Sequence, residues 1–151
     1  MDNMDGNNLR EIVRMVVRNL GLLERNGACC CGVTLTQCHA IVEIGREKEI
    51  TLNALAELLN VDKSTISRTI DNLVSLDFVT REIHPENRRC IKISLSKNGE
   101  EVYEKIEHSM ADYYNNLISM VAEDKKEIVN ESLQVLMDII KQNRGCNMKG
   151  V

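Results

Sequence analysis

The sequence has no tryptophan, one phenylalanine and three tyrosines among 151 residues, so few rings are present to stack on a flat aromatic ligand. It also lacks long apolar runs: stretches such as Met15-Val16-Val17 are broken by charge within a few residues, far short of the ~20 apolar residues of a membrane span. The opening MDNMDGNNLR carries neither the basic patch nor the apolar stretch of a secretory signal, which sets the expectation of a cytoplasmic protein with no membrane partner. No Gly-x-x-x-x-Gly-Lys, His-Glu-x-x-His, Gly-x-Ser-x-Gly or Cys-x-x-Cys occurs, so no residues for catalysis are visible and the expectation is a protein that is not an enzyme. Surplus positive charge is missing too. The 19 Lys and Arg against 23 Asp and Glu give a net −4, which weighs against a broad phosphate-binding face and leaves only local charge to serve that role.

What is present is helical periodicity. Leu9, Ile12, Val13, Val16, Leu20 and Leu23 recur at three- and four-residue spacing and predict an amphipathic helix over 8–25, ended by Gly27. Thr34 and Gln37 form a capping-box pattern opening a helix over about 35–44, closed by Gly45. Thr51 caps a short helix over 52–59; after the turn Asn60-Val61-Asp62, Asp62 caps another over 63–76, with Ile66, Ile70, Leu73 and Val74 on one side. Strand patterns over 78–83 and 90–95 flank His84-Pro85-Glu86-Asn87-Arg88-Arg89 and predict a hairpin with a basic tip. Ser96 then caps a long helix to about Val121, and 123–143 forms the last, with Ile128, Leu133, Leu136 and Ile140 in phase.

Two short helices across a three-residue turn, the second apolar on one face and polar on the other, make a helix-turn-helix. The outward residues Lys63, Ser64, Thr65, Ser67, Arg68, Asp71 and Asn72 suit a DNA groove, because Arg binds guanine O6 and N7 while hydroxyls reach phosphates or bases. A plain solvent face would instead carry long Glu/Lys pairs. The hairpin places Arg88 and Arg89 where cations enter an adjacent minor groove. The predicted fold is mainly α with a small β-hairpin wing (α+β): a winged helix-turn-helix core, 34–96, with 1–33 and 97–151 as a helical dimerisation region.

The segment ALAELLNVDKSTISRTIDNLVSLDFVTREIHPENRRCIKISLSKNGEEV resembles the winged-helix core of the MarR family of bacterial regulators. The resemblance implies that Arg68 lies in a recognition helix and that the wing follows the pattern Asp-Pro-x-Asp-Arg-Arg, then a strand and Leu-Thr-x-x-Gly. Here both wing acids are replaced, by His84 and Asn87, so Asn87 can accept a hydrogen bond but supplies no ion pair. The resemblance further implies a homodimer through the first and last helices, which reads a pseudo-palindromic operator in double-stranded DNA, most simply as a repressor. The apolar faces of those helices, broader than one small winged core covers, point the same way.

Six cysteines in a chain read as cytoplasmic are expected to stay thiols. Cys29, Cys30 and Cys31 stand together between the first two predicted helices, with Cys38 and His39 early in the second, whereas Cys90 and Cys146 read as strand packing and tail. Thiolates near a helix N-terminus are reactive and bind soft ions, so this cluster is a candidate effector site for a thiol-reactive agent or a thiophilic metal or metalloid ion. Zinc-sensing relatives of the resembled family draw ligands from the first two helices and the fifth, which implies Glu24, Cys30, His39, Glu107 and His108 as a zinc alternative, although an exposed helical histidine is the plainer reading of His108. Two rivals stay open: a small aromatic or organic ligand in the cleft between dimer helices and winged domain, and a thiol redox enzyme or metal carrier.

Overall fold

The computed structural model describes residues 4–87 and 89–147, with side chains outside 22–30 and 145–147. Helix α1 (Gly6–Cys30) is followed by α2 (Leu35–Glu47), β1 (Ile50–Thr51), α3 (Leu52–Leu59), α4 (Lys63–Ser75), β2 (Val79–Ile83), β3 (Ile91–Leu95), α5 (Lys97–Ser119) and α6 (Glu123–Asn147). Two compact units divide between Met110 and Ala111, so α5 has residues in both. Among the described residues no helix is long and apolar enough to cross a membrane.

The predicted caps form. Thr34 Oγ1 accepts from the Gln37 amide while Gln37 Oε1 accepts from the Thr34 amide, closing the capping box of α2. Thr51 accepts from Ala54, and Ser96 Oγ accepts from Gly99 at the front of α5. The predicted hairpin also forms, antiparallel, with Val79 opposite Leu95 and Ile83 opposite Ile91. A third strand was not visible in the sequence. The two-residue β1 pairs Ile50 with Ile93 and Thr51 with Lys92, giving the order β1-β3-β2; two residues are too few to show alternation.

Two helix ends differ from expectation. Gly27 does not end α1, because a glycine inside a helix costs only about 1 kcal/mol; the helix runs to Cys30 and the chain turns at Gly32, where φ is 70°. Cys29 and Cys30 therefore occupy the last turn of α1 rather than a loop, with Cys31 in the turn that follows. Gly45 does not close α2 either. It is buried, and a Cβ there would stand 2.5 Å from Cδ2 and 2.6 Å from Cγ of Tyr103, so the glycine serves the close approach of α5. The helix ends at Lys48, where φ reaches 68°.

The core lies in the first unit. Ile41, Ile44, Leu55, Ile66, Ile70, Leu73 and Ile93 are fully buried, from α2, α3, α4 and β3, each contributing about 1.5–3 kcal/mol of transfer free energy. Three of the seven lie on α4, whose inner face is thereby fixed against α2 and α3. The end of α4 is tied to the start of α5: Asp77, at φ 59°, accepts the Ser96 hydroxyl on its carbonyl and Asn98 Nδ2 on its carboxylate.

Candidate nucleic-acid interface

Asp62 organises the front of α4. Its Oδ1 accepts from the Thr65 amide at 2.6 Å and the Ser64 hydroxyl at 2.7 Å. The amide bond first, then the hydroxyl bonds, hold its carboxyl down at about 2. With Ile66, Ile70 and Leu73 sealed in the core, the opposite face is forced outward. Lys63, Ser64, Arg68 and Asn72 are exposed there, whereas Thr65 and Ser67 are half-buried at its margins. Arg68 Nε donates to the Ser64 carbonyl at 3.4 Å, which lays the side chain along the helix and leaves its guanidinium in solvent.

The wing tip is built on backbone groups. The His84 amide donates to the Cys90 carbonyl, and the Cys90 amide to the Asn87 carbonyl, both at 2.9 Å. Inside this loop the two residues that replace acids both act as acceptors: His84 Nδ1 takes the Glu86 amide at 3.2 Å, and Asn87 Oδ1 takes the Arg89 amide at 3.1 Å. Asn87 thus accepts a hydrogen bond, here from a backbone amide. Each is a short side-chain-to-backbone turn of the kind Asn favours. Arg89 is exposed; Arg88, the wing residue singled out in the sequence, lies outside the described residues.

The remaining bases of the hairpin are engaged. Arg81 Nη1 pairs with Asp71 Oδ1 on the outer face of α4, and Lys92 Nζ lies 2.9 Å from Glu49 Oε1, a hydrogen-bonded partner that raises the lysine pKa. Neither pairing had a sequence signal, because 10 and 43 residues separate the partners.

The cysteine set is only partly in view. Cys31 is half-buried and packs against the core; Cys38 is buried within it; His39 is exposed. Glu107 accepts from Arg46 at 3.3 Å, and Arg46 also faces Glu43 at 3.7 Å. His108 is exposed and, with Glu101, Glu104 and Glu107, borders an open cavity of about 670 Å³. The side chains of Glu24, Cys29 and Cys30 lie outside the described residues. Among the described residues no three His, Cys, Asp or Glu side chains are arranged to hold a metal ion.

Comparison with known proteins adds to this geometry. Residues 33–91 match the sequence model of the MarR family. An uncharacterized HTH-type transcriptional regulator of Mycobacterium leprae is 25% identical over 111 residues, 74% of this chain and 78% of that protein. A crystal structure of MarR superposes with a TM-score of 0.76 at 26% identity, covering 95% of this chain and 99% of that one. Streptococcus pneumoniae FabT, crystallised in complex with DNA, superposes with a TM-score of 0.82 at 17% identity, covering 91% and 99%. The fold is the winged helix-turn-helix of these structures.

Proposed function

We propose that this protein, which belongs to the MarR family, is a sequence-specific transcriptional regulator that binds double-stranded DNA as a homodimer. One observation carries the reading: α4 buries one face completely and holds Lys63, Ser64, Arg68 and Asn72 in solvent on the other, while Arg89 of the wing is exposed as well. Side chains of this kind read base edges through Arg and fix phosphates through hydroxyls and Lys. Residues 34–96 are then the DNA-binding domain, and 1–33 with 97–151 supply dimerisation. Bare apolar side chains on α1, including Met15 and Val17, and on α6, including Leu133 and Val135, support a second copy as the partner. Two recognition helices would address half-sites about one helical turn, ~34 Å, apart.

The effector in this reading is a thiol-reactive or thiophilic agent, zinc included, acting at Cys29, Cys30 and Cys31 and releasing the protein from DNA. The clustering of three thiols at the junction of α1 and α2 supports it, and burial leaves Cys38 a packing residue before it is a ligand.

Anisotropy titrations on DNA from the protein's own upstream region, at fixed salt, test both parts. Arg68→Ala and Arg88→Ala should each weaken binding by about 1–3 kcal/mol if they read bases. Wild-type affinity in both variants removes the assignment. Zinc, trivalent arsenic, copper(I) or peroxide should lower wild-type affinity by roughly 5- to 150-fold, and a variant with Cys29, Cys30 and Cys31 all changed to Ser should not respond. An identical response in that variant moves the effector to another site.

A further inference from the structure

Ser64, Arg68, Asp71 and Ser75 follow one another at steps of four, three and four residues, which places them on a single stripe of α4. The stripe that carries Arg68 therefore also carries a carboxylate. A bare carboxylate at that position would meet the phosphates of any duplex with the wrong sign. In the structure it does not stand bare: Arg81, from β2, pairs with it. The two side chains are 53% and 41% exposed, so the pair adds little to stability. Its consequence lies in what it does to the charge of the face and to the freedom of Arg81. The backbone of Arg81 is fixed opposite the fully buried Ile93, and its Nη1 is already engaged by Asp71.

We propose that Asp71 is a positioning residue of the DNA-binding face, which holds the Arg81 guanidinium out of sequence-independent phosphate contact and so lowers affinity for every duplex alike. The inference rests on α4 being the DNA-reading helix. Phosphate contacts strengthen binding to every sequence alike, so a cation withheld from them lowers affinity for right and wrong sites by the same factor and leaves discrimination to Arg68 and the wing. Asp71 holds Arg81 without contacting DNA itself.

The test uses the full-length protein and two duplexes of equal length and composition, one recovered by the wild type from a random pool and one scrambled. Asp71→Asn frees Arg81 and should bind the scrambled duplex more tightly, with a salt slope steeper by about 0.9, so that its advantage over wild type shrinks roughly 3.5-fold between about 50 and 200 mM salt. Its preference for the selected duplex should stay at the wild-type value, since both duplexes gain alike. Arg81→Ala leaves Asp71 bare and should weaken binding to both duplexes, and the double variant should recover part of that loss. Asp71→Glu, which keeps the charge, should stay near wild type, and thermal melts near the wild-type value in all variants exclude misfolding as the cause. Asp71→Asn with the wild-type salt slope overturns the proposal, and so does a changed preference, which would mean that Asp71 itself reads the DNA. A wild type that enriches no sequence from the pool instead overturns the DNA-binding reading on which it stands.

Discussion

At residue scale, Asp62 orders the leading edge of α4. Its carboxylate satisfies the Thr65 amide, one of the donors that the start of α4 leaves without a helical partner. The same atom takes the Ser64 hydroxyl, fixing a side chain of the outward stripe before any ligand arrives. Because these bonds favour the charged form, the folded-state pKa lies at about 2, below the ordinary 3.8. A carboxyl depressed on folding stabilises the fold above its unfolded pKa and loses that contribution as pH falls through the folded value. Asp62→Ala should therefore lower Tm by a constant amount from neutral pH down to about 4, and the gap to wild type should narrow between 3.8 and about 2. Asp62→Asn keeps a capping oxygen without the charge and should recover part of the Tm. Thermal melts across that pH range check it, and a gap that stays constant to the acid limit contradicts the assigned cause.

At the scale of elements, the close approach of α5 to α2 depends on a missing side chain. Gly45 faces the Tyr103 ring, and Cγ as well as Cδ2 lies within 2.6 Å of the place a Cβ would occupy, so the ring has no free end to swing aside. Lys48, one turn on, reaches to 6.0 Å above the same ring. Gly45→Ala gains about 1 kcal/mol of helix propensity but overpacks at a cost of roughly 1–3 kcal/mol. Overpacking should win, giving a variant less stable in urea titration, and Tyr103→Leu in the same chain should restore much of the loss. An alanine variant more stable than wild type shows that the two helices separate without cost. A glycine in helical phase carried no sequence signal of this role: turn and close approach use the same residue, and only the position of α5 tells them apart.

For the whole molecule the issue is what covers the apolar surface. Ile12, Met15, Val16 and Val17 on α1 are exposed, as are Ile128, Leu133, Met137 and Ile140 on α6. Exposed apolar residues in such number call for a partner, and a second copy is the partner proposed above. Sedimentation at micromolar concentration should give twice the 17.1 kDa chain mass. Leu133→Asp combined with Ile140→Asp should shift the species toward one chain mass and weaken operator binding, since each protomer then finds a half-site alone. A double variant that sediments and binds like the wild type moves the interface away from α6.

The sequence by itself determined the order of helices, the caps at Thr34, Thr51, Asp62 and Ser96, and the hairpin between β2 and β3. All are local: side-chain periodicity and a capping oxygen three residues from its donor act over one or two turns of chain. It also determined the polar stripe of α4, because burying Ile66, Ile70 and Leu73 leaves the other face only one direction to point. Tertiary structure alone decided that Gly45 is a contact rather than a stop, that β1 joins the sheet, and that Arg81 and Lys92 spend their charge on Asp71 and Glu49. Those outcomes depend on the packing of elements distant in sequence, and neither periodicity nor spacing encodes which acid a surface base will meet.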